Sequence, residues 1–113
     1  MYFYKFTTRH AYKCSCFSTM EDQIAIGAIQ AARATGRRVL DDLSVVGFDD
    51  VPGASTCVPP LTTVAQPIVD KGRVAAALLL DQIRSGTRCR IELPIELVVR
   101  ASSGPPPATV SDV

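Results

Sequence analysis

Histidine occurs once in this chain, at His10, far along the chain from Cys57, so the usual acid–base partner of a thiol is missing. There is no glycine-rich phosphate loop, no nucleophile paired with a base and no metal-ligand cluster, which argues against an enzyme and implies no cofactor. The four cysteines are Cys14, Cys16, Cys57 and Cys89. A Cys-x-Cys pair without further ligands nearby does not make a zinc site, and a chain with a normal core needs no disulfide framework. Reduced thiols are expected.

No apolar run approaches the ~20 residues of a membrane span. The opening MYFYKFTTRHAYK has no continuous apolar segment of ~7–15 residues and no small-residue cleavage site. The expectation is a cytoplasmic protein without membrane contact. A surplus of one charge sign is also lacking: 12 Lys and Arg face 11 Asp and Glu, for a net charge of +1. The densest basic spots, Arg37-Arg38 and the Arg84, Arg88, Arg90 neighbourhood, read as solvated surface rather than as a nucleic-acid stripe.

What the chain does have is an apolar share of 47%, enough for a core. A short strand is expected within Ser15 to Thr19. Ser18 followed three residues later by Glu21 has the form of a capping box, predicting a helix that runs to about Thr35 and stops at Gly36. Two apolar stripes run along it: Ile24, Ala28, Ala31 and Thr35, and beside them Ile26, Ile29 and Arg33. Two readings stand open, a helix buried on both sides or one whose Ile26 and Ile29 meet a partner subunit.

Leu43 to Phe48 is apolar on both faces, as a central strand covered by helices requires. A proline-punctuated loop follows, with Ala54 to Val58 as a helical turn, then a strand from Leu61 to Val64. A second helix starts at Pro67, carries Ile68, Gly72, Ala75, Leu79 and Ile83 on one side, and ends at Gly86. From Arg90 to Arg100 the pattern alternates, with Ile91, Leu93, Ile95, Leu97 and Val99 on one face and a break, bend or edge imposed by Pro94. The order implies an α/β fold with a mainly parallel sheet flanked by helices. Asp49 and Asp50, just past the end of the buried strand, stand where an open α/β sheet places its ligand. The pattern suggests small-molecule binding.

Four blocks occur in order: Asp22 to Ala28 (DQIAIGA), Ser44 to Asp50 (SVVGFDD), Pro59 to Val64 (PPLTTV) with Gln66-Pro67, and Glu96 to Arg100 (ELVVR). Together they resemble the C-terminal part of the sensor domain of LacI/GalR-family bacterial transcriptional regulators. The resemblance implies a partial periplasmic-binding-protein-like (type I) fold. It divides the chain into an unmatched segment 1–14, a partial sensor over 15–104 and a disordered tail over 105–113. In that family a helix-turn-helix headpiece binds operator DNA, and a two-lobed sensor binds a small effector between its lobes and forms a homodimer. Occupancy of the sensor shifts the dimer between states of different operator affinity.

By this resemblance Asp49 accepts hydrogen bonds from hydroxyls of a sugar or related polyol, which an ionised carboxylate does well. The residues alone leave a second reading open for Asp49, a cap on the following turn, and Asp50 is expected to cap. Asp22 matches the ligand-side helix start, where its charge suits the positive end of the macrodipole. Before it the family usually has Asn, and this chain has Glu21, which changes the charge offered to an effector. Ile68 matches a position that packs apolar surface on the ligand, or else is plain core. Ile26, Ile29 and Cys57 match the dimer surface.

The resemblance places headpiece, hinge and first lobe before Ser15, and nothing in 1–14 matches them. The helix from Ile68 and the strand from Arg90 complete that first lobe in the family. Leu78, Leu79, Ile83, Ile91 and Leu93 are therefore expected to lack packing partners, each forfeiting about 1.5–3 kcal/mol of burial. A chain that is marginally stable or aggregation-prone on its own follows. A sugar-binding component of an uptake system shares the fold and is the alternative function; the Pro59 to Val64 block favours the regulators.

Overall fold

Short strands lie side by side in the core, and one helix covers them with mostly small side chains. The computed structural model describes residues 16–106. The segment 1–14 with His10 and Cys14, and most of the proline-rich tail, lie outside the described residues. The elements are β1 (Cys16–Ser18), α1 (Asp22–Ala34), β2 (Ser44–Val46), α2 (Pro52–Thr56), β3 (Thr63–Ala65), α3 (Ile68–Ser85) and β4 (Glu96–Val98).

β1 and β2 run parallel, with Phe17 opposite Val45. β2 continues onto β3 through two parallel bridges, Val46 with Thr62 and Asp49 with Ala65. Backbone bonds from Gly47 to the Thr62 carbonyl and from Asp49 to the Val64 carbonyl, both 2.9 Å, close that seam. β4 pairs antiparallel with β3, Val64 opposite Leu97. The α/β architecture with a mainly parallel sheet is thus as expected, with one antiparallel edge.

Ala25, Ile29, Val45, Ala54 and Leu61 form the core, with Ile26, Val39, Leu43 and Cys57 packed at its margin. On α1 the buried positions are Asp22, Ala25, Ile29 and Ala32, one stripe at helical spacing. Neither stripe expected from the sequence matches it. Ile24 is 54% exposed while the small Ala25 and Ala32 face inward, because a helix lying close on a strand selects small side chains there. Ile29 is 1% exposed. It fills the core, so its assignment to a subunit interface is corrected.

The capping box is also corrected. Ser18 belongs to β1, and Glu21 is the N-cap residue without a side-chain cap bond. The first helical N–H, that of Asp22, is satisfied by the Phe48 carbonyl at 3.0 Å, so a neighbouring loop does the work of a cap. The helix ends where expected, with Gly36 at φ 77° in the left-handed region that glycine tolerates best. α2 occupies the expected helical turn, shifted slightly toward Pro52. α3 starts one residue after Pro67, which is its N-cap, and ends at the left-handed Gly86.

The predicted strand 90–100 survives only as β4, after Pro94. The proline's missing donor is one physical reason for the break. α3 buries none of its residues. Of the side chains expected to lack partners, Leu79, Ile83 and Ile91 are more than half exposed, whereas Leu78 and Leu93 are partly covered; Leu80, Ile95 and Leu97 are more than half exposed as well.

Candidate functional site at the carboxyl edge of the sheet

Because β1, β2 and β3 are parallel, the chain leaves all three at the same sheet edge. That edge therefore carries Thr19 to Glu21, Gly47 to Asp50, and Gln66-Pro67. Open α/β sheets bind ligands at this edge.

Asp49 and Asp50 turn the chain sharply here, with φ of 113° and 55°. Asp50 lies in the left-handed region that aspartate tolerates. Asp49 lies beyond it, in a conformation that costs a non-glycine residue of order 1–3 kcal/mol and tends to mark functional positions. The Asp49 side chain is partly exposed, and Gln66 Nε2 donates to its Oδ1. Among the described residues its Oδ2 has no hydrogen-bond partner in the protein, which leaves acceptor capacity for a ligand hydroxyl. Lys71 Nζ in turn donates to Gln66 Oε1 at 3.1 Å. Beside Gln66 lies an open depression of about 560 Å³ lined by Ala65, Pro67, Pro94, Ile95 and Glu96.

The second acid has a different task. Asp50 Oδ1 meets Arg100 Nη2 at 2.7 Å in a partly buried ion pair. Arg100 Nη1 also donates to the Leu61 carbonyl at 2.9 Å. The expected capping role of Asp50 is corrected: α2 is capped by Val51 without a side-chain bond, and Asp50 ties the loop to β4's continuation. Ser102 continues that seam, fully buried. Its Oγ donates to the Val45 carbonyl at 2.6 Å and accepts from Thr62 N at 2.8 Å.

Asp22 is 1% exposed, and its two oxygens are spoken for. Val51 N–H donates to Oδ2 at 2.8 Å and Thr63 Oγ1 donates to Oδ1. A carboxylate enclosed in this way joins α1, the Asp49–Val51 loop and β3. Its assignment to ligand contact is corrected to that of an internal brace. Gly47 is part of the brace, because a Cβ there would run into Asp22 Oδ1 and Leu61.

Glu21 is exposed at the α1 N-cap, on the edge named above. Ile68 is 49% exposed at the first turn of α3, so the plain-core reading does not hold for it. Cys57 is partly buried beside the core, its one thiol proton shared between the Ala54 and Pro59 carbonyls, which lie 3.4 and 3.3 Å from Sγ. Ile26 is likewise partly buried at the margin of the core. Sequence reasoning had no means of finding Ser102 or Lys71, whose roles depend on partners 57 and 5 residues away. A second depression, of about 380 Å³, opens at the end of α1 among Arg33, Arg37, Val39 and Pro59. Nearby, the Arg38 backbone N–H, followed by the Arg38 and Arg37 charges, holds the Asp42 carboxyl below its ordinary range.

A three-strand parallel core with its carboxyl edge open and a single antiparallel strand beside it defines the class: an open-sheet α/β domain. The family model described as periplasmic binding protein-like domain matches residues 13–103. The chain belongs to that family, and within it resembles part of the sensor domain of LacI/GalR-type regulators. It is 46% identical over 84 residues to the ribose operon repressor of Halalkalibacterium halodurans, covering 73% of this chain and 25% of that protein. Among solved structures it is similar to the transcriptional regulator CelR–cellobiose complex, with TM-score 0.74 and 38% identity over 81% of this chain and 29% of that one. It is likewise similar to a dimeric Lac repressor with a C-terminal deletion, with TM-score 0.69 and 36% identity over 81% and 34% of the two chains. The chain thus spans about a quarter of the length of the curated relatives it matches. No helix among the described residues is long and apolar enough to cross a membrane.

Proposed function

We propose that residues 15–104 are the effector-sensing and dimerisation part of a LacI-type DNA-binding transcriptional repressor that responds to a sugar or related polyol. The observation that carries this is the partly exposed Asp49 carboxylate, held on one oxygen by Gln66 at the carboxyl edge of the sheet. A rigidly presented acceptor suits vicinal hydroxyls. Glu21 and Ile68 flank the same edge and supply, respectively, charge and apolar contact to the effector. Ile26 and Cys57, at the margin of the core, are the proposed homodimer contacts. Operator DNA is read by a headpiece of the kind the relatives' descriptions imply, not by the scattered basic residues here. The matched relatives are repressors and regulators, which favours regulation over uptake.

A chimera tests the reading. Residues 16–106 replace the matching quarter of the H. halodurans ribose operon repressor, and operator binding is followed by fluorescence anisotropy across a panel of pentoses, hexoses and disaccharides. The expected result is operator binding released by at least one sugar, with release abolished by Asp49→Ala. A folded chimera that binds operator and responds to sugar equally well with Asp49→Ala contradicts the proposal.

A further inference from the structure

The hydrogen bonds from Lys71 to Gln66 and from Gln66 to Asp49 form a chain of one polarity. An ammonium can only donate and a carboxylate can only accept, so the amide between them has a single orientation that satisfies both. Asp49 sits on the loop after β2, and Gln66 and Lys71 flank the start of α3. Asp49 N–H is bonded to the Val64 carbonyl, Ile68 N–H to that of Gln66, and Lys71 N–H to that of Pro67, at 2.9, 2.8 and 2.8 Å. None of the three side chains lies in the core. Removing the Lys71 ammonium opens no cavity and strands no buried polar group, so stability alone gives little reason for it.

We infer that Lys71 and Gln66 are positioning residues: Lys71 fixes the amide of Gln66, and Gln66 fixes the carboxylate of Asp49 with Oδ2 turned outward. The inference rests on the reading of Asp49 as an effector contact and extends it to specificity. A carboxylate locked in one rotamer discriminates between epimers whose hydroxyls point differently, whereas a freely rotating one adapts to both. Asp50 on this edge is already paired with Arg100, so the ammonium brings positive charge beside Asp49 and Glu21, and the chain tolerates an effector with an acidic substituent better than Asp49 alone would.

The test uses the full chain, labelled with 15N, as wild type, Lys71→Met and Lys71→Arg. The first readout is the pair of Gln66 side-chain amide proton resonances and their exchange with solvent. In the wild type the pair is well separated and one proton exchanges slowly. Lys71→Met brings the two together and speeds exchange, and Lys71→Arg preserves the wild-type pattern. Unchanged Gln66 resonances in Lys71→Met overturn the inference. The second readout is titration with D-ribose, its C2 epimer D-arabinose, and cellobiose, followed at the Asp49 backbone amide. Lys71→Met weakens the best-bound sugar about tenfold, the scale of one charge-assisted hydrogen bond, and narrows the ribose-to-arabinose ratio. Lys71→Arg restores both. If the Gln66 resonances respond as stated while no sugar moves Asp49 in the wild type, the positioning chain stands and the effector reading of Asp49 is what fails.

Discussion

Asp22 offers the sharpest perturbation, because its two carboxylate oxygens hold partners from two other parts of the chain. Asp22→Ala leaves the Val51 N–H and the Thr63 hydroxyl without their acceptor in a site that is 1% exposed. Each stranded buried group costs about 1–3 kcal/mol, so a loss of about 2–6 kcal/mol is expected, falling to about 1–3 kcal/mol if Thr63 turns to another acceptor. Against a net stability of about 5–15 kcal/mol for a sound domain, and less for one whose α3 is unburied, that is enough to unfold much of the population. Asp22→Asn is the control. Its oxygen can still accept from Val51 N–H, and its amide can donate to the Thr63 hydroxyl oxygen, which has lone pairs to spare. Only the charge and its interaction with the α1 N-terminus are lost, about 1 kcal/mol. Urea unfolding followed by far-ultraviolet circular dichroism, at fixed protein concentration, measures both. Equal destabilisation by the two substitutions, or an alanine variant within about 0.5 kcal/mol of wild type, refutes the brace.

Three further outcomes are expected. Asp49→Gly relieves the φ of 113° and raises stability by about 1 kcal/mol while removing effector response, a gain in urea midpoint opposed to a loss in titration; a fall in midpoint contradicts the strain. Ile29→Ala, at a core position, lowers stability by about 2–5 kcal/mol, whereas Ile26→Ala, at the core margin, costs less and shifts sedimentation toward monomer. The double substitution Leu79→Lys and Ile83→Glu, on positions 59% and 72% exposed, raises the soluble yield of the chain without lowering its unfolding midpoint. A midpoint that drops with it shows those side chains to be packed after all.

The fold class was legible because its signals are local. A doubly apolar run marks β2, Pro67 and Gly86 bracket α3, and Pro94 interrupts the last strand. The position of Asp49 at the carboxyl edge was legible for the same reason, since it follows closely on a buried strand. What sequence reading misjudged depends on contact at a distance. The buried face of α1 is set by how near the helix lies to β2, so alanines outrank Ile24 there. Asp22 looked like a helix-start charge until the Val51 loop and Thr63 were seen closing over it. Asp50 looked like a cap because its partner, Arg100, lies 50 residues on. Ser102 carried no signal of its own in the sequence, yet its hydroxyl stitches Val45 to Thr62.

The central claim is that the Asp49 carboxylate presents an open acceptor to a polyhydroxylated effector at the carboxyl edge of the parallel strands. It is tested most directly by nuclear magnetic resonance titration of the 13C,15N-labelled chain with a panel of sugars. The prediction is saturable shifts confined to the Asp49 carboxyl, the 47–50 backbone and the Gln66 side chain, lost in Asp49→Ala. Saturable shifts that avoid these residues, or that survive Asp49→Ala, contradict it.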